Sequence, residues 1–301
     1  MNSNSSSPLL SAVIPVSKMA GNFECLRSWI NQTPDYSIQV ILVHDIADDN
    51  TGDELKEIVY QANRNYNIVL TEGIYGNPGN ARNSGLELAK GEWVAFWDSD
   101  DKPLLASIFE ALYQCSSEDE ILVGGFITRN IVSGQYNYLN ALDNNLISVS
   151  INPGVWRMVF RNQILSQVKF SDLRNGEDQL FLSDLDFAER SIKYINDTFY
   201  EYTLGQAGQL TNRRDALKDL VRATNAIFDR AVISGNMQLI FDMTLIIRQQ
   251  LTLIKKGGIS LKFQPIIFYF RNVKKLKLSI VIATFKALII IIKRIKMLTI
   301  K

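Results

Sequence analysis

The chain has 301 residues, 47% of them hydrophobic and 21% charged, a composition that can bury a core and that excludes disordered and collagen-like classes. Two cysteines, Cys25 and Cys115, and a single histidine, His44, exclude a disulfide framework, a Cys-rich zinc site and most His-built metal sites or triads. The net charge of +1 conceals a segregation: no acidic residue follows Asp242, and 13 of the 32 Lys and Arg residues lie in 243–301, so that segment sums to +13 and the rest to −12.

In chain order, residues 1–8 are Ser/Asn-rich and uncharged, a flexible start without the basic and apolar regions of a signal peptide, so a cytoplasmic address is expected. Apolar runs at Leu9–Val16, Ile38–Val43, Asn67–Leu70 and Trp93–Trp97 read as strands buried on both faces. Polar, helix-like stretches separate them, among them GNARNSGLELAK (Gly79–Lys90), ended by Gly91. This βαβαβαβ order predicts an α/β fold, a mostly parallel sheet covered by helices. Further on, a helix is expected over Pro103–Gln114, a strand over Ile121–Arg129, a loop-rich stretch over Ser133–Asn152, and one wholly helical stretch over 215–255.

Asp98-Ser99-Asp100-Asp101 directly follows the strand WVAFW. Ligands of parallel α/β sheets bind beyond the carboxyl ends of the strands, and three carboxylates there repel one another unless a cation sits among them. A hard divalent ion, completed by a diphosphate, answers that repulsion. Asp101 before Lys102-Pro103 also reads as a helix N-cap. Asp45 ends the second strand and should line the same edge. Asp48 and Asp49 read as turn residues, and His44 as packed. Arg82, one turn into a helix, is placed to reach a base or phosphate, or to form a salt bridge. A second acidic cluster, Gly176-Glu177-Asp178, opens a helix; a carboxylate able to deprotonate a hydroxyl, together with a metal-diphosphate site, is the minimum kit for glycosyl transfer.

The segments SAVIPV, VILVHD with DDNTGDE, NPGNARNSGLELAKGEW, DSDD, VWRMVFR, GEDQLF and YEYTLGQAGQLTNRR occur in this order over about Leu10–Arg214. In that order and spacing the chain resembles family 2 glycosyltransferases of the GT-A fold. The resemblance implies a Rossmann-like GT-A domain over 9–214, with a nucleotide-binding half (9–101) and an acceptor half (102–214). It implies that Pro15, Val16, Asp45, Arg82, Asp98 and Ser99 contact the nucleotide-sugar and that Asp100 with Asp98 holds Mn or Mg. Asp178 matches the family's base, supported by Glu177, and an inverting reaction follows. Asp101, Trp156 as an acceptor-stacking ring, and Thr211, Arg213 and Arg214 over the diphosphate are further candidates. The chain departs from the family pattern at PVSKMAGN, at His44, and at Asn77, where a glycine is frequent.

Beyond a helical extension (215–255), residues 256–301 mix Ile, Leu and Phe with lysines. The longest quiet stretch, Leu278–Ile292, would be about 22 Å long as a helix, short of a ~30 Å hydrocarbon core. The tail is therefore expected to lie on an anionic membrane rather than span it, or else to cap the core or form a dimer interface. An acidic globule argues against nucleic acid. The expected function is transfer of a sugar from a nucleotide-sugar, expected to be a UDP-sugar, to a saccharide, expected to be lipid-linked, in bacterial surface-polysaccharide synthesis at the inner membrane face. The alternatives are a sugar nucleotidyltransferase, for which a glycine- and lysine-rich triphosphate loop is missing, and a non-catalytic nucleotide-sugar-binding or scaffold protein.

Overall fold

The computed structural model describes residues 7–17, 23–30, 36–47, 51–62, 67–139, 145–205 and 216–299. The chain divides into two compact units, the first comprising residues 1–144, 155–170 and 191–209 and the second residues 145–154, 171–190 and 210–301.

The first unit is built on strands β1 (Leu10–Val16), β2 (Ile38–Asp45), β3 (Asn67–Gly73), β4 (Trp93–Phe96), β5 (Lys102–Pro103), β6 (Ile121–Asn130), β7 (Tyr136–Leu139), β8 (Met158–Arg161) and β9 (Ile192–Leu204), with helices α1 (Glu24–Ile30), α2 (Gly52–Ala62), α3 (Pro78–Leu88) and α4 (Leu105–Tyr113). Strand order is β3-β2-β1-β4-β8-β6-β9-β5, with β7 paired to β6. The β3-β2-β1-β4 half is parallel, as the alternation of apolar runs and helices predicts. β8 then enters antiparallel between β4 and β6, and β6 runs parallel to β9.

The apolar runs became strands because both of their faces are covered: β4 is buried along its whole length, as is nearly all of β1 and β2. Two polar residues inside them are satisfied where they sit. The Ser11 hydroxyl donates to Gln39 Oε1 at 2.7 Å and accepts the Gly91 N–H at 2.8 Å, while Gln39 Nε2 donates to the Leu88 carbonyl at 3.1 Å. These bonds fix the turn between α3 and β4. Helix α3 lies close on the sheet because residue 85 is glycine; a Cβ there would stand 2.4 Å from Val13 Cγ1 and 2.9 Å from Val43 Cγ2.

The second unit holds α5 (Leu146–Ile151), α6 (Glu177–Asp184), α7 (Leu217–Ala231), α8 (Asn236–Lys256), α9 (Ile259–Lys262), α10 (Gln264–Asn272) and α11 (Leu278–Thr299). Three expectations are corrected. The stretch 215–255 is two helices, because the chain turns at 232–235 and Gly235 in an extended conformation caps α8. The expected loop over Ser133–Asn152 contains β7 and α5, the latter started by an Asn145/Ser148 capping box. Strands β8 and β9 lie where none was expected.

Asp242 of α8 is fully buried. Gln238 Nε2 donates to its Oδ1 at 2.7 Å, and Gln238 Oε1 accepts the Ala188 N–H at 2.7 Å, joining α8 to the end of the α6 segment. Burial pushes the Asp242 carboxyl up to about 7, against hydrogen bonds from Ser183, Gln238 and Ser234. Between about pH 4 and 7 the folded state therefore holds this proton where the unfolded chain does not, so this group's contribution to stability is most favourable below about pH 4 and is lost as pH rises toward 7. In chemical denaturation, Asp242→Asn should flatten this slope, removing a pH-dependent loss on the order of 2–4 kcal/mol between those limits.

Candidate active site

Strands β2, β1 and β4 are neighbours in the sheet. Their carboxyl ends carry Asp45, Pro15-Val16 and the turn Asp98–Asp101, so the predicted nucleotide and metal residues of the first unit share one edge. The Trp97 N–H donates to the Val13 carbonyl at 3.1 Å, and the Asp101 N–H to the Asp98 carbonyl at 3.3 Å, closing the turn on the end of β1.

The three carboxylates of this turn have different environments. Asp98 is about 30% exposed and pairs at 2.8 Å with the guanidinium of Arg82, itself buried on α3 with its charge over the Phe170 ring. Arg82 thus forms the salt bridge that was the alternative to a nucleotide contact, and through it sets the position of Asp98. Ser99 is buried. Asp100 is pushed up to about 7, first by burial and then by the negative charge of Asp98. Asp101 is 1% exposed, and burial with the charges of Asp100 and Asp98 holds its carboxyl well above the usual carboxylate range. Its Oδ1 accepts the Thr203 N–H of β9 at 2.7 Å. Asp101 is not a helix cap, because α4 starts only at Leu105 with Leu104 at the N-cap.

Tyr200 supports the candidate site and is a residue that the sequence did not point to. It is fully buried on β9, its hydroxyl accepts the Asp98 N–H at 2.9 Å, and it moderates the charge of Asp101 by a side-chain hydrogen bond. Trp156 stacks on Tyr200 at 4.8 Å and on Tyr202 at 5.2 Å between ring centroids, so its ring is built into the support of this strand. Nothing in YEYTLG marks Tyr200 in advance; the long-range pairing of β9 with β6 and with β5, where Pro103 lies opposite Tyr200, carries it to the turn.

Asp45 Oδ2 accepts the Gly76 N–H at 2.8 Å, and its Oδ1 accepts N–H groups of Ala47 and Tyr75. It clamps the loop that leads into α3. In that loop Gly76 takes the left-handed conformation (φ 72°), while Asn77 is extended and caps α3 by accepting the Asn80 N–H at 2.8 Å. The glycine frequent at this place in the family is therefore not required by the backbone at Asn77. His44 is packed as expected, with Glu72 at 3.5 Å from Nδ1.

In the second unit, Glu177 and Asp178 open α6; Glu177 is buried and Asp178 half-buried. Gly176 caps this helix at φ 88°, and a Cβ there would meet Ala223 Cβ at 3.0 Å and Leu220 Cδ2 at 3.2 Å. Glycine is required twice, by the backbone conformation and by the approach of α7. Thr211, Arg213, Arg214, Asp48 and Asp49 lie outside the described residues.

The carboxylates of the turn offer hard oxygen ligands whose mutual repulsion a divalent cation would relieve. Among the described residues no group of three or more His, Cys, Asp or Glu side chains could hold a metal. Asp98 and Asp100 would supply at most part of a coordination sphere, the rest of which substrate phosphates can complete.

Residues 23–174 match the model of glycosyl transferase family 2. The chain belongs to glycosyl transferase family 2. It is 25% identical to glycosyltransferase GlyG of Streptococcus pneumoniae serotype 4 over 76% of this chain and 82% of that one. It is 29% identical to the poly(ribitol-phosphate) beta-glucosyltransferase of Bacillus spizizenii over 72% of this chain and 37% of that one. The structure of S. aureus TarS in complex with UDP-GlcNAc superposes with a TM-score of 0.60 at 17% identity, covering 92% of this chain and 90% of that one. The mannosyltransferase PcManGT of Pyrobaculum calidifontis, in complex with GDP-Man and Mn2+, superposes with a TM-score of 0.56 at 13% identity, over 97% and 87% of the two chains. The fold is GT-A and the family-2 chain is a glycosyltransferase.

Tyr200→Phe removes the acceptor of the Asp98 N–H without emptying the core. Thermal melting should show a loss of about 1–2 kcal/mol, the cost of one buried unpaired donor. Isothermal titration with Mn2+ and UDP should show weaker metal binding than in the native protein.

Proposed function

We propose that this glycosyltransferase moves a sugar, with inversion at the anomeric carbon, from a UDP-sugar to a hydroxyl of a lipid-linked saccharide in bacterial surface-polysaccharide synthesis. The observation that carries the reading is the carboxylate turn Asp98–Asp101 at the edge formed by β1, β2 and β4, with Asp100 pushed up to about 7 by burial and by Asp98. Such crowding of acids suits a site that meets a divalent cation together with its anionic ligand.

In this reading Asp98 and Asp100 hold Mn or Mg, which when bound supplies electrostatic stabilisation of the departing nucleoside diphosphate. Arg82 keeps Asp98 in place, and Pro15, Val16, Asp45 and Ser99 line the nucleotide. Thr211, Arg213 and Arg214 are assigned to the diphosphate on their sequence alone. Asp178 accepts the proton of the acceptor hydroxyl, supported by Glu177, as that oxygen bonds to the anomeric carbon. The bond from this carbon to the diphosphate oxygen breaks on the opposite face, which inverts the centre. The +13 tail places the enzyme at the inner face of the cell membrane, where a lipid-linked acceptor would be found. UDP-GlcNAc and GDP-Man bound to proteins of the same fold support a nucleotide-sugar donor, and UDP-GlcNAc in TarS supports the choice of uridine.

The test is release of nucleoside diphosphate from UDP-, GDP- and dTDP-sugars, with Mn2+ and with chelator. Release from one donor, abolished by chelator, is expected. Asp178→Asn should lower transfer to a saccharide acceptor by a factor on the order of 10²–10⁴ while leaving donor binding unchanged. Unchanged transfer by a folded variant would remove Asp178 from the role of base.

A further inference from the structure

The lysines of the tail form no single face in sequence, yet the structure separates two apolar faces on the last helix. On α11, Ile280, Ala283 and Ala287 are buried, and this helix packs against α8. Val281, Ile282, Phe285, Leu288, Ile289 and Ile292 repeat at the same helical spacing on the opposite side and are all exposed, Phe285 by 64%. Lys286 and Lys293, seven residues apart, run along one edge of this outer stripe and are exposed. The preceding segment repeats the pattern. Phe263, Ile266, Phe270 and Val273 are spaced three and four residues apart and exposed, Phe270 by 78%, with Lys262, Arg271 and Lys274 exposed among them.

Such surfaces are too extensive and too regular to be scattered apolar exposure. Among the described residues no helix is long and apolar enough to cross a membrane. A helix that is apolar on two opposite sides, one packed on its own protein and the other rimmed by cations, suits a position in the plane of a membrane interface. A second copy of the chain is the poorer occupant: residues 243–301 carry 13 positive charges and no negative one, so pairing two such surfaces would bring like charges together. An anionic headgroup layer supplies the opposite charge. Lys275 is already engaged, by Asp229 at 2.6 Å, and is not counted in this surface.

We propose that the outer stripes of α10 and α11, with Lys262, Arg271, Lys274, Lys286 and Lys293, dock the enzyme in the plane of an anionic phospholipid bilayer. This rests on the membrane location proposed above and assigns it to named faces. The full-length protein is to be sedimented with vesicles of phosphatidylcholine alone and with about 30% phosphatidylglycerol. Binding to the anionic vesicles is expected to be tighter by about tenfold or more, and to weaken as salt rises from about 0.1 to 0.5 M. The double variant Phe285→Ser/Ile289→Ser should lose about tenfold or more of this binding with its circular dichroism and Tm unchanged, since both side chains are exposed. Lys286→Glu/Lys293→Glu should abolish the preference for anionic lipid. Native-like vesicle binding by both variants, or no lipid preference in the native protein, would overturn the proposal. So would a dimer, seen by analytical ultracentrifugation without lipid, that the Phe285/Ile289 variant dissociates. Nucleoside diphosphate release from UDP-sugars, measured on the same preparations without vesicles, separates the two readings: its loss with retained docking contradicts the proposed chemistry, and the converse contradicts the docking surface.

Discussion

Three carboxylates on one four-residue turn repel one another, and the surrounding elements of the first unit are arranged to tolerate them. Asp98 has the Arg82 guanidinium at 2.8 Å, and Asp101 has the Thr203 N–H at 2.7 Å and the Tyr200 hydroxyl beside it. Asp100, beside the charge of Asp98, has its carboxyl pushed up to about 7 by burial and by that charge. The turn thus carries its electrostatic cost on Asp100 and Asp101, while Asp98 and Asp101 are held by α3 and β9.

The rest of the first unit follows from keeping those supports in register. Arg82 reaches Asp98 because α3 lies close on β1 and β2, which Gly85 permits and which the bonds among Ser11, Gln39, Leu88 and Gly91 fix. Tyr200 reaches the same turn because β9 pairs with β6 and with β5, the strand that follows the turn, with Trp156 stacked behind it. In the second unit the same economy applies to the acidic helix start. Gly176 gives α6 its first turn against α7, and the buried Gln238–Asp242 pair joins α8 to the segment that follows α6. The charge division of the chain has a structural counterpart, because the acid-free segment after Asp242 carries the apolar stripes of α10 and α11.

The parallel half of the sheet was legible because strands buried on both faces need continuous apolar runs, and Leu9–Val16, Ile38–Val43 and WVAFW supply them. The places of DSDD after β4 and of GED at the start of α6 were legible because acids and glycine are favoured where a strand ends and a helix begins. β8 and β9 were not, since MVFR is only four residues long and IKYINDTFYEYTL interleaves polar residues along a strand that is only partly buried. The break between α7 and α8 was hidden because Ser234 and Gly235 lie between two apolar periodicities that read as one. Tyr200 shows the limit most plainly: an aromatic residue in a tyrosine-rich strand acquires its role only from the long-range pairing that brings its hydroxyl to the Asp98 N–H.

The central claim is that the Asp98–Asp101 turn holds a divalent cation together with a nucleoside diphosphate. Electron paramagnetic resonance of Mn2+ tests it without reference to the acceptor. In the native protein the free Mn2+ signal should fall on addition of UDP, and in Asp100→Asn, with its fold retained, it should remain. Equal loss of the free signal in both proteins, or no UDP-dependent loss in the native one, would contradict the account.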